Sequence, residues 1–177
     1  MHPHVDQRMQ SMKSTLSARI EILKDSHLAQ VLGVISSVRG EFGLSHRVPS
    51  LLEPADLNLL DVYQHPRSCY FVATIDNNRV LGGAGIFPLA GADSVTCELQ
   101  RMYLCSEYRG RGVGQSLLDA CIGFAQSKGF DRCYAETISE MTGAIAFYRR
   151  NGFRKLKTPI GQTNHGHNDY WLLLEMT

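Results

Sequence analysis

The sequence predicts a single α/β domain in which helices cover a mixed sheet. The chain has 177 residues, about the length of one domain, and its composition, 44% hydrophobic and 20% charged, allows a core without disulfides or a structural metal. Helical patterns come first, then a hairpin, then alternating strands and helices. We expect residues 1–17, which are polar, to form a flexible extension ahead of a domain spanning residues 18–177.

The N-terminal half predicts a strand, two helices and a hairpin. Residues 18–22 alternate polar and apolar side chains at period two, which is typical of a half-buried strand. Asp25 is the expected N-cap of the next helix, and Pro54 marks the expected start of another. Two β-rich runs, 69–75 and 79–81, flank turn residues and therefore predict a hairpin.

The C-terminal half predicts alternating strands and helices. Its clearest element is a helix from Gly112 to Lys128, in which apolar residues recur at helical spacing and which Gly129 closes. Ser139 is the expected N-cap of a second helix that ends at Arg150. The remaining predicted elements are all strands: residues 95–104, 133–137, 153–156 and 170–175.

The composition excludes several classes of function. Lys and Arg number 18 and Asp and Glu 17, so a net charge of +1 provides no field for holding nucleic acid or anionic lipid. No apolar run is long enough to span a membrane, and the N-terminus lacks the apolar core of a signal peptide. Five cysteines without a C-x-x-C pair indicate reduced core thiols. We therefore expect a cytoplasmic protein that binds neither nucleic acid nor a membrane.

A glycine-rich loop is the strongest candidate for a binding site. Residues 109–114 read Arg-Gly-Arg-Gly-Val-Gly and lie between a predicted strand and a predicted helix. The start of a helix has unpaired N–H groups and a partial positive charge, which favour phosphate. Counting from Gly110, the last position of a dinucleotide G-x-G-x-x-G motif is Gln115, and no Walker motif exists. The remaining alternative is an ordinary turn with two solvated arginines.

The segments around this loop resemble the GNAT superfamily of N-acetyltransferases. The loop matches the family pattern of Gln or Arg, two residues, Gly, one residue, then Gly or Ala. It is preceded by Glu-Leu-Gln-Arg-Met-Tyr-Leu at residues 98–104 and followed by Phe-Tyr-Arg-Arg-Asn-Gly-Phe at residues 147–153. The resemblance covers roughly residues 80–153. It implies a mixed, mostly antiparallel twisted sheet with a splayed parallel strand pair, here residues 95–104 and 132–137, flanked by helices.

The same resemblance implies acetyl-CoA as the cosubstrate and no metal. The pantetheine arm is then expected along the backbone of Met102, Tyr103 and Leu104, filling the gap between the splayed strands. The pyrophosphate is expected on the glycine-rich loop and the first turn of the helix. The residues assigned to it are Arg109, Gly110, Arg111, Gly112, Val113, Gly114 and Gln115.

Two residues are candidates for the chemistry of acetyl transfer. The resemblance implies that Glu98 is the general base, and period-two alternation predicts that it shares a strand face with Gln100 and Met102. The alternative is a structural carboxylate paired with an arginine such as Arg101. The resemblance also implies that Tyr148 is the general acid, and the alternative is an aromatic packing group.

We expect the acceptor to be a primary amine of a small molecule, attacked directly in a ternary complex. The alternatives are a protein or peptide amine and, in another class, a non-catalytic acyl-CoA-binding module. His165 and His167 lie in a loop rich in Gly and Asn, which favours a loop over the acceptor site instead of a metal site. Met141 stands where many family members carry Asn, whose two amide bonds a thioether cannot make. The sequence leaves both a monomer and a homodimer open.

Overall fold

The computed structural model describes residues 17–43, 54–76, 78–163 and 166–176. The extension expected at residues 1–17 lies outside these ranges except for its last residue. Seven strands and five α-helices occur in the described part of the chain. In chain order they are β1 (Arg19–Ile22), α1 (Asp25–Glu41), α2 (Pro54–Leu57), α3 (Leu59–Val62), β2 (Cys69–Ile75), β3 (Arg79–Pro88), β4 (Thr96–Leu104), α4 (Val113–Ser127), β5 (Arg132–Thr137), α5 (Thr142–Arg150), β6 (Arg154–Lys155) and β7 (Tyr170–Glu175).

The strands form one sheet in the order β1-β2-β3-β4-β5-β7-β6. Every neighbouring pair is antiparallel except β4 and β5, which run parallel. Their register covers only Thr96–Leu99 against Arg132–Ala135, although β4 continues to Leu104 and β5 to Thr137. The mixed, mostly antiparallel sheet with one parallel pair confirms the predicted fold class, and a gap opens beyond the paired segment.

Helices bury apolar side chains on both faces of this sheet. Helix α4 packs Val113, Leu117 and Cys121 into the larger core, and α1 contributes to the other core on the opposite face. All five cysteines are free thiols, and four are buried, which agrees with the expected core packing. The glycine-rich run in β3 is a site of close packing, because a Cβ at Gly85 would lie 2.2 Å from the hydroxyl of Tyr63.

Two predicted helix starts are wrong. Helix α1 begins at Asp25 with Lys24 as its N-cap, so Asp25 is inside the first turn, where its charge still suits the helix dipole. Helix α5 begins at Thr142, three residues after Ser139. The reason is a tertiary contact, because the amide and hydroxyl of Ser139 both donate to the carboxylate of Asp169 at 2.7 and 2.9 Å.

A bulge at Arg101 changes which side chains of β4 share a face. The register with β3 shifts between Gly83 and Gly85, and Arg101 has a φ of 49°, in the left-handed region. Met102 therefore packs against the core beneath α4, whereas Gln100 bonds to Tyr63 on the opposite face. The expectation that Glu98, Gln100 and Met102 share one face is wrong for Met102, because period-two alternation stops at the bulge.

Candidate active site

Two cavities meet at the open end of the β4–β5 pair. The larger measures about 430 Å³ and the smaller about 90 Å³. Five residues line both cavities: Met102, Tyr103, Met141, Ala144 and Tyr148. The other lining residues differ in kind, since mainly glycines and apolar side chains surround the larger cavity and charged side chains surround the smaller one.

The larger cavity follows the free edge of β4. Tyr103 and Leu104 pair with Gly83 and Gly82 of β3 on one edge, and beyond Leu99 the pairing with β5 on the other edge has ended. Met102, Tyr103 and Leu104, the three residues predicted for the pantetheine arm, all line this cavity. An extended group placed here can reach backbone N–H and C=O groups in the manner of an added strand.

The glycine-rich loop closes the far end of the larger cavity. Gly110 and Gly112 have φ values of 72° and 85°, a backbone conformation that residues other than glycine rarely adopt. The first backbone bond of α4 runs from the amide of Ser116 to the carbonyl of Gly112, so the amides of residues 113–115 lie ahead of the helical ladder. Gly112, Gly114 and Gln115 line the cavity. This arrangement suits a phosphate group.

The arginines predicted for the loop have different positions. The Arg109 side chain lines the cavity and binds Glu41 of α1 with both Nη atoms, at 2.6 and 2.8 Å, while its Nε donates to the carbonyl of Leu104 at 3.0 Å. It therefore ties the loop to the ends of α1 and β4. The Arg111 side chain is exposed and that of Val113 is buried in the core, and neither residue is among those that line the cavity.

The space around Gly114 shows whether the loop has room for a phosphate ligand. It has an ordinary φ, and a Cβ built there would lie 3.8 to 3.9 Å from Phe147, Leu104 and Met102, which are ordinary contacts. Glycine is therefore not required at this position by the fold. What a side chain would do is project into the cavity, so the absence of a Cβ fits close approach of a ligand to the helix start.

Glu98 lies in the smaller cavity and has an unusual proton affinity. Glu98 is 5% exposed, and its carboxylate accepts a hydrogen bond from Gln100 Nε2 at 2.6 Å. Burial raises the pKa of its carboxyl to about 7, with a further upward push from the negative charge of Glu136, against the lowering effects of Gln100 and Arg101. The carboxyl can therefore gain and lose a proton near neutral pH.

Tyr148 projects from α5 to the junction of the two cavities. Its ring packs against Phe153 at a centroid distance of 5.4 Å, and the residue is 7% exposed. Burial raises the pKa of its hydroxyl well above the usual range, so the group stays protonated and can donate. The packing role and the position at the junction coexist in this one side chain.

The structure brings in charged residues that the sequence patterns do not single out. Asp56, which is fully buried, accepts from Arg39 Nη1 at 2.5 Å and from Arg101 Nε at 2.6 Å. The alternative partner for Glu98, Arg101, is thus bonded to Asp56. Arg39 Nε also donates to the hydroxyl oxygen of Tyr103 at 3.0 Å. No motif marks Asp56, an isolated acid in a four-residue helix.

A second carboxylate, Glu136 of β5, fastens the loop over the smaller cavity. It accepts hydrogen bonds from Tyr134 at 2.7 Å, Thr163 at 2.6 Å and Asn168 at 3.2 Å. Asn168 and His167 line the cavity, whereas His165 lies outside the described residues. Within the described ranges, no group of three or more His, Cys, Asp or Glu side chains is placed to hold a metal.

Comparisons with known proteins agree on one family. Residues 36–153 match the profile of the acetyltransferase (GNAT) family. The chain is 35% identical to the uncharacterized N-acetyltransferase YjgM of Escherichia coli (strain K12), over 81% of this chain and 86% of the relative. It is also 34% identical to the probable N-acetyltransferase camello of Xenopus tropicalis, over 52% of this chain and 42% of that protein.

Solved structures share the fold at low sequence identity. A GNAT-family acetyltransferase from Staphylococcus aureus aligns with a TM-score of 0.79 at 21% identity, covering 91% of this chain and 100% of that chain. The paia N-acetyltransferase of Thermoplasma acidophilum, solved in complex with coenzyme A, aligns with a TM-score of 0.71 at 20% identity, over 90% and 99%. Among the helices of the described residues, none is long and apolar enough to cross a membrane.

Proposed function

Because the chain belongs to the GNAT acetyltransferase family, we propose that it transfers the acetyl group of acetyl-CoA to a primary amine of a small molecule. The observation that carries this proposal is the junction of the two cavities at Tyr148. One cavity suits an extended ligand that ends in phosphate. The other is small, charged and contains a carboxyl with a pKa near 7.

The larger cavity is the proposed site for acetyl-CoA. The amides of residues 110–115 would hold the pyrophosphate, and the backbone of Met102, Tyr103 and Leu104 would pair with the pantetheine arm. Acetyl-CoA supplies the acetyl group already activated as a thioester. Met141 lines both cavities and its sulfur accepts a hydrogen bond from the Thr137 hydroxyl at 3.5 Å. Its thioether can pack against the arm but cannot make the two bonds of an amide.

Glu98 is the proposed general base. A lysine-like ammonium has a pKa of about 10.4, so the attacking nitrogen has to lose a proton before it can act as a nucleophile at neutral pH. A carboxyl with a pKa of about 7 is ionised often enough to accept that proton and basic enough to hold it. Gln100 supports the carboxylate with its 2.6 Å hydrogen bond.

Tyr148 is the proposed general acid. As the bond from nitrogen to the acetyl carbon forms and the carbon–sulfur bond breaks, its hydroxyl donates a proton to the leaving sulfur. That hydroxyl is protonated at neutral pH even with the ordinary pKa of a tyrosine, and burial raises its pKa further. Since both cavities open to this one side chain, both substrates can be present together, which supports direct attack in a ternary complex.

The two alternatives fit the structure less well. A protein or peptide amine would have to enter a cavity of about 90 Å³, which suits a small acceptor better. A non-catalytic acyl-CoA-binding module has no use for a buried carboxyl of raised pKa beside the junction. We also place the enzyme in the cytoplasm as part of this proposal, a location that suits its five free thiols.

Ligand-dependent melting followed by an amine screen tests the proposal. At a concentration 100 times its dissociation constant, acetyl-CoA should add about 2.7 kcal/mol of stability, a rise in Tm of roughly 5 to 10 °C. NAD and ATP should shift Tm much less. Small amines should then release free CoA thiol from acetyl-CoA. Equal shifts from all three nucleotides, or no release with any amine, would contradict the proposal.

A further inference from the structure

The wall of the smaller cavity holds two buried arginines that the proposed acetyl transfer does not use. Arg39 comes from α1 and Arg101 from β4, and their side chains are only 7% and 8% exposed. Both donate to the carboxylate of Asp56, which holds the two guanidinium groups at the wall of the cavity. Of the two, Arg101 is the one whose guanidinium is also bonded to a neighbour of Glu98, because its Nη1 donates to Gln100 Oε1 at 3.1 Å.

The backbone is bent so that Arg101 reaches this wall. In a regular strand its side chain would lie on the face opposite to Glu98 and Gln100. The bulge and the positive φ of Arg101 instead allow its guanidinium to bond to Gln100 and Asp56 at the cavity. A non-glycine residue held in this conformation inside a candidate site is a feature of functional positions.

The carboxamide of Gln100 connects Glu98 and Arg101 in the wall of the cavity. The Nε2 of Gln100 donates to Glu98 at 2.6 Å, and its Oε1 accepts from Arg101 Nη1 at 3.1 Å. A ligand between Glu98 and Arg101 is therefore favoured in one orientation, with its N–H groups at the carboxylate and its oxygen atoms at the guanidinium. An α-amino acid likewise carries an N–H donor, its amine, and oxygen acceptors, its carboxylate, only a few bonds apart.

We propose that the acceptor is a small amine that also carries a carboxylate, of the α-amino acid class. Its carboxylate binds the guanidinium of Arg101, with the charge of Arg39 behind it, and its amine lies at Glu98, facing Tyr148. Planar guanidinium groups suit carboxylates because two parallel hydrogen bonds can form. This inference rests on the proposed function and specifies the substrate class of the same site.

Matched acceptor pairs test the proposal. Each pair is an α-amino acid and its α-carboxamide, for example alanine and alaninamide, or serine and serinamide, assayed with acetyl-CoA by thiol release. The amide has the more readily deprotonated amine, so chemistry alone favours it. We expect kcat/KM to be at least about tenfold higher for the acids. In the presence of CoA, the acids should also raise Tm more than the amides do.

Variants at Arg101 connect this preference to the residue. Arg101→Gln should remove the preference for acids, mainly through KM, and leave the affinity for acetyl-CoA unchanged. Arg101→Lys keeps a positive partner for Asp56 and serves if the first variant folds poorly; it should weaken the preference by losing the paired bonds. Arg79→Gln, which removes a 61% exposed arginine of β3, is the matched control and should retain the full preference.

The possible failures are distinguishable. Amides used as well as acids, or acids and amides weakened equally in the Arg101 variants, would overturn the inference about the acceptor and leave acetyl transfer intact. A panel in which neither acids nor amides release thiol would contradict acetyl transfer itself, and the acceptor class with it.

Discussion

The two cavities that meet at Tyr148 are built by different means. In the larger one the polar groups available to a ligand are mainly backbone: a free strand edge, a glycine loop and the first turn of α4, all within residues 102–115, with apolar side chains of α1 and α5 around them. The smaller one is made by side chains from several elements, among them Arg39 of α1, Glu98 and Arg101 of β4 and Glu136 of β5. Backbone geometry suits a ligand that stays the same, whereas side chains can be exchanged to suit different acceptors.

The same contrast appears in the ion pairs of the two cavities. Glu41 and Arg109 form a two-bond pair beside the larger cavity, and both side chains are more than a third exposed. Asp56 with Arg39 and Arg101 is almost fully buried. Solvent weakens the first pair. In the low dielectric of the interior, removal of one partner from the second would leave a buried charge without its counter-charge and would strongly destabilise the fold.

The largest expected effect is on stability at the buried cluster. Asp56→Asn leaves two buried guanidinium groups without a shared carboxylate, and we expect a loss of about 3 to 5 kcal/mol in the free energy of unfolding. Urea unfolding measures it. The control, Glu41→Gln, removes a carboxylate from the exposed pair and should cost less than about 1 kcal/mol. Equal losses in the two variants would break the contrast between the cavities.

The next effect is on turnover at the junction. Tyr148→Phe removes one hydroxyl and keeps the ring that packs on Phe153. We expect kcat to fall on the order of 10- to 1,000-fold, about 1.4 to 4 kcal/mol of barrier, with Tm and acetyl-CoA affinity retained. Steady-state kinetics with a verified acceptor measure this. Full kcat in the variant would mean that water protonates the leaving sulfur and that Tyr148 only packs.

Glu98 should give two pH-dependent effects of intermediate size. As the base it must be ionised, so kcat/KM of the native protein should fall as the pH drops below about 7. Glu98→Gln should move this acidic limb towards the pKa of the amine, with activity recovering at high pH. An unchanged profile in the variant would assign Glu98 a structural role.

The stability effect of Glu98 does not depend on any acceptor. Because the folded pKa is raised from 4.5 to about 7, the folded state binds more protons than the unfolded state between these values. The contribution of Glu98 to stability is therefore fully present below about pH 4.5 and is lost as the pH rises towards 7, by at most about 3 kcal/mol. Glu98→Gln should gain stability over the native protein across this window, which melting curves at several pH values would show.

The smallest expected effect concerns ligand binding in the larger cavity. Gly114→Val introduces a branched side chain at the helix start and should weaken acetyl-CoA binding by about tenfold or more, with little cost in folding. Calorimetric titration measures the affinity. Gly123→Ala, in the same helix but with open space around its Cβ, should bind normally. Normal binding by Gly114→Val would mean that the glycine loop is only a turn.

The larger cavity could be predicted from sequence, and the smaller cavity only in part. The glycine spacing and the apolar periodicity were sufficient for the loop and α4, whereas the free edge of β4 was implied by the family resemblance. The Arg101 bulge depends on the β3 register, and its positive φ is not a preference of arginine. Asp56 gains its role through contacts that include residues 17 and 45 positions away in the chain. Long-range contacts of this kind leave no local pattern.

Following the acetyl group itself tests the central claim most directly. The protein is incubated with acetyl-CoA labelled in the acetyl group and an accepted amine, and both the amine and the intact protein are analysed by mass spectrometry. Direct attack at the junction of the two cavities predicts labelled N-acetyl product in equal amount to released CoA, with the protein mass unchanged. Release of CoA without acetylated amine, or label on the protein as a step before the product, would contradict the account.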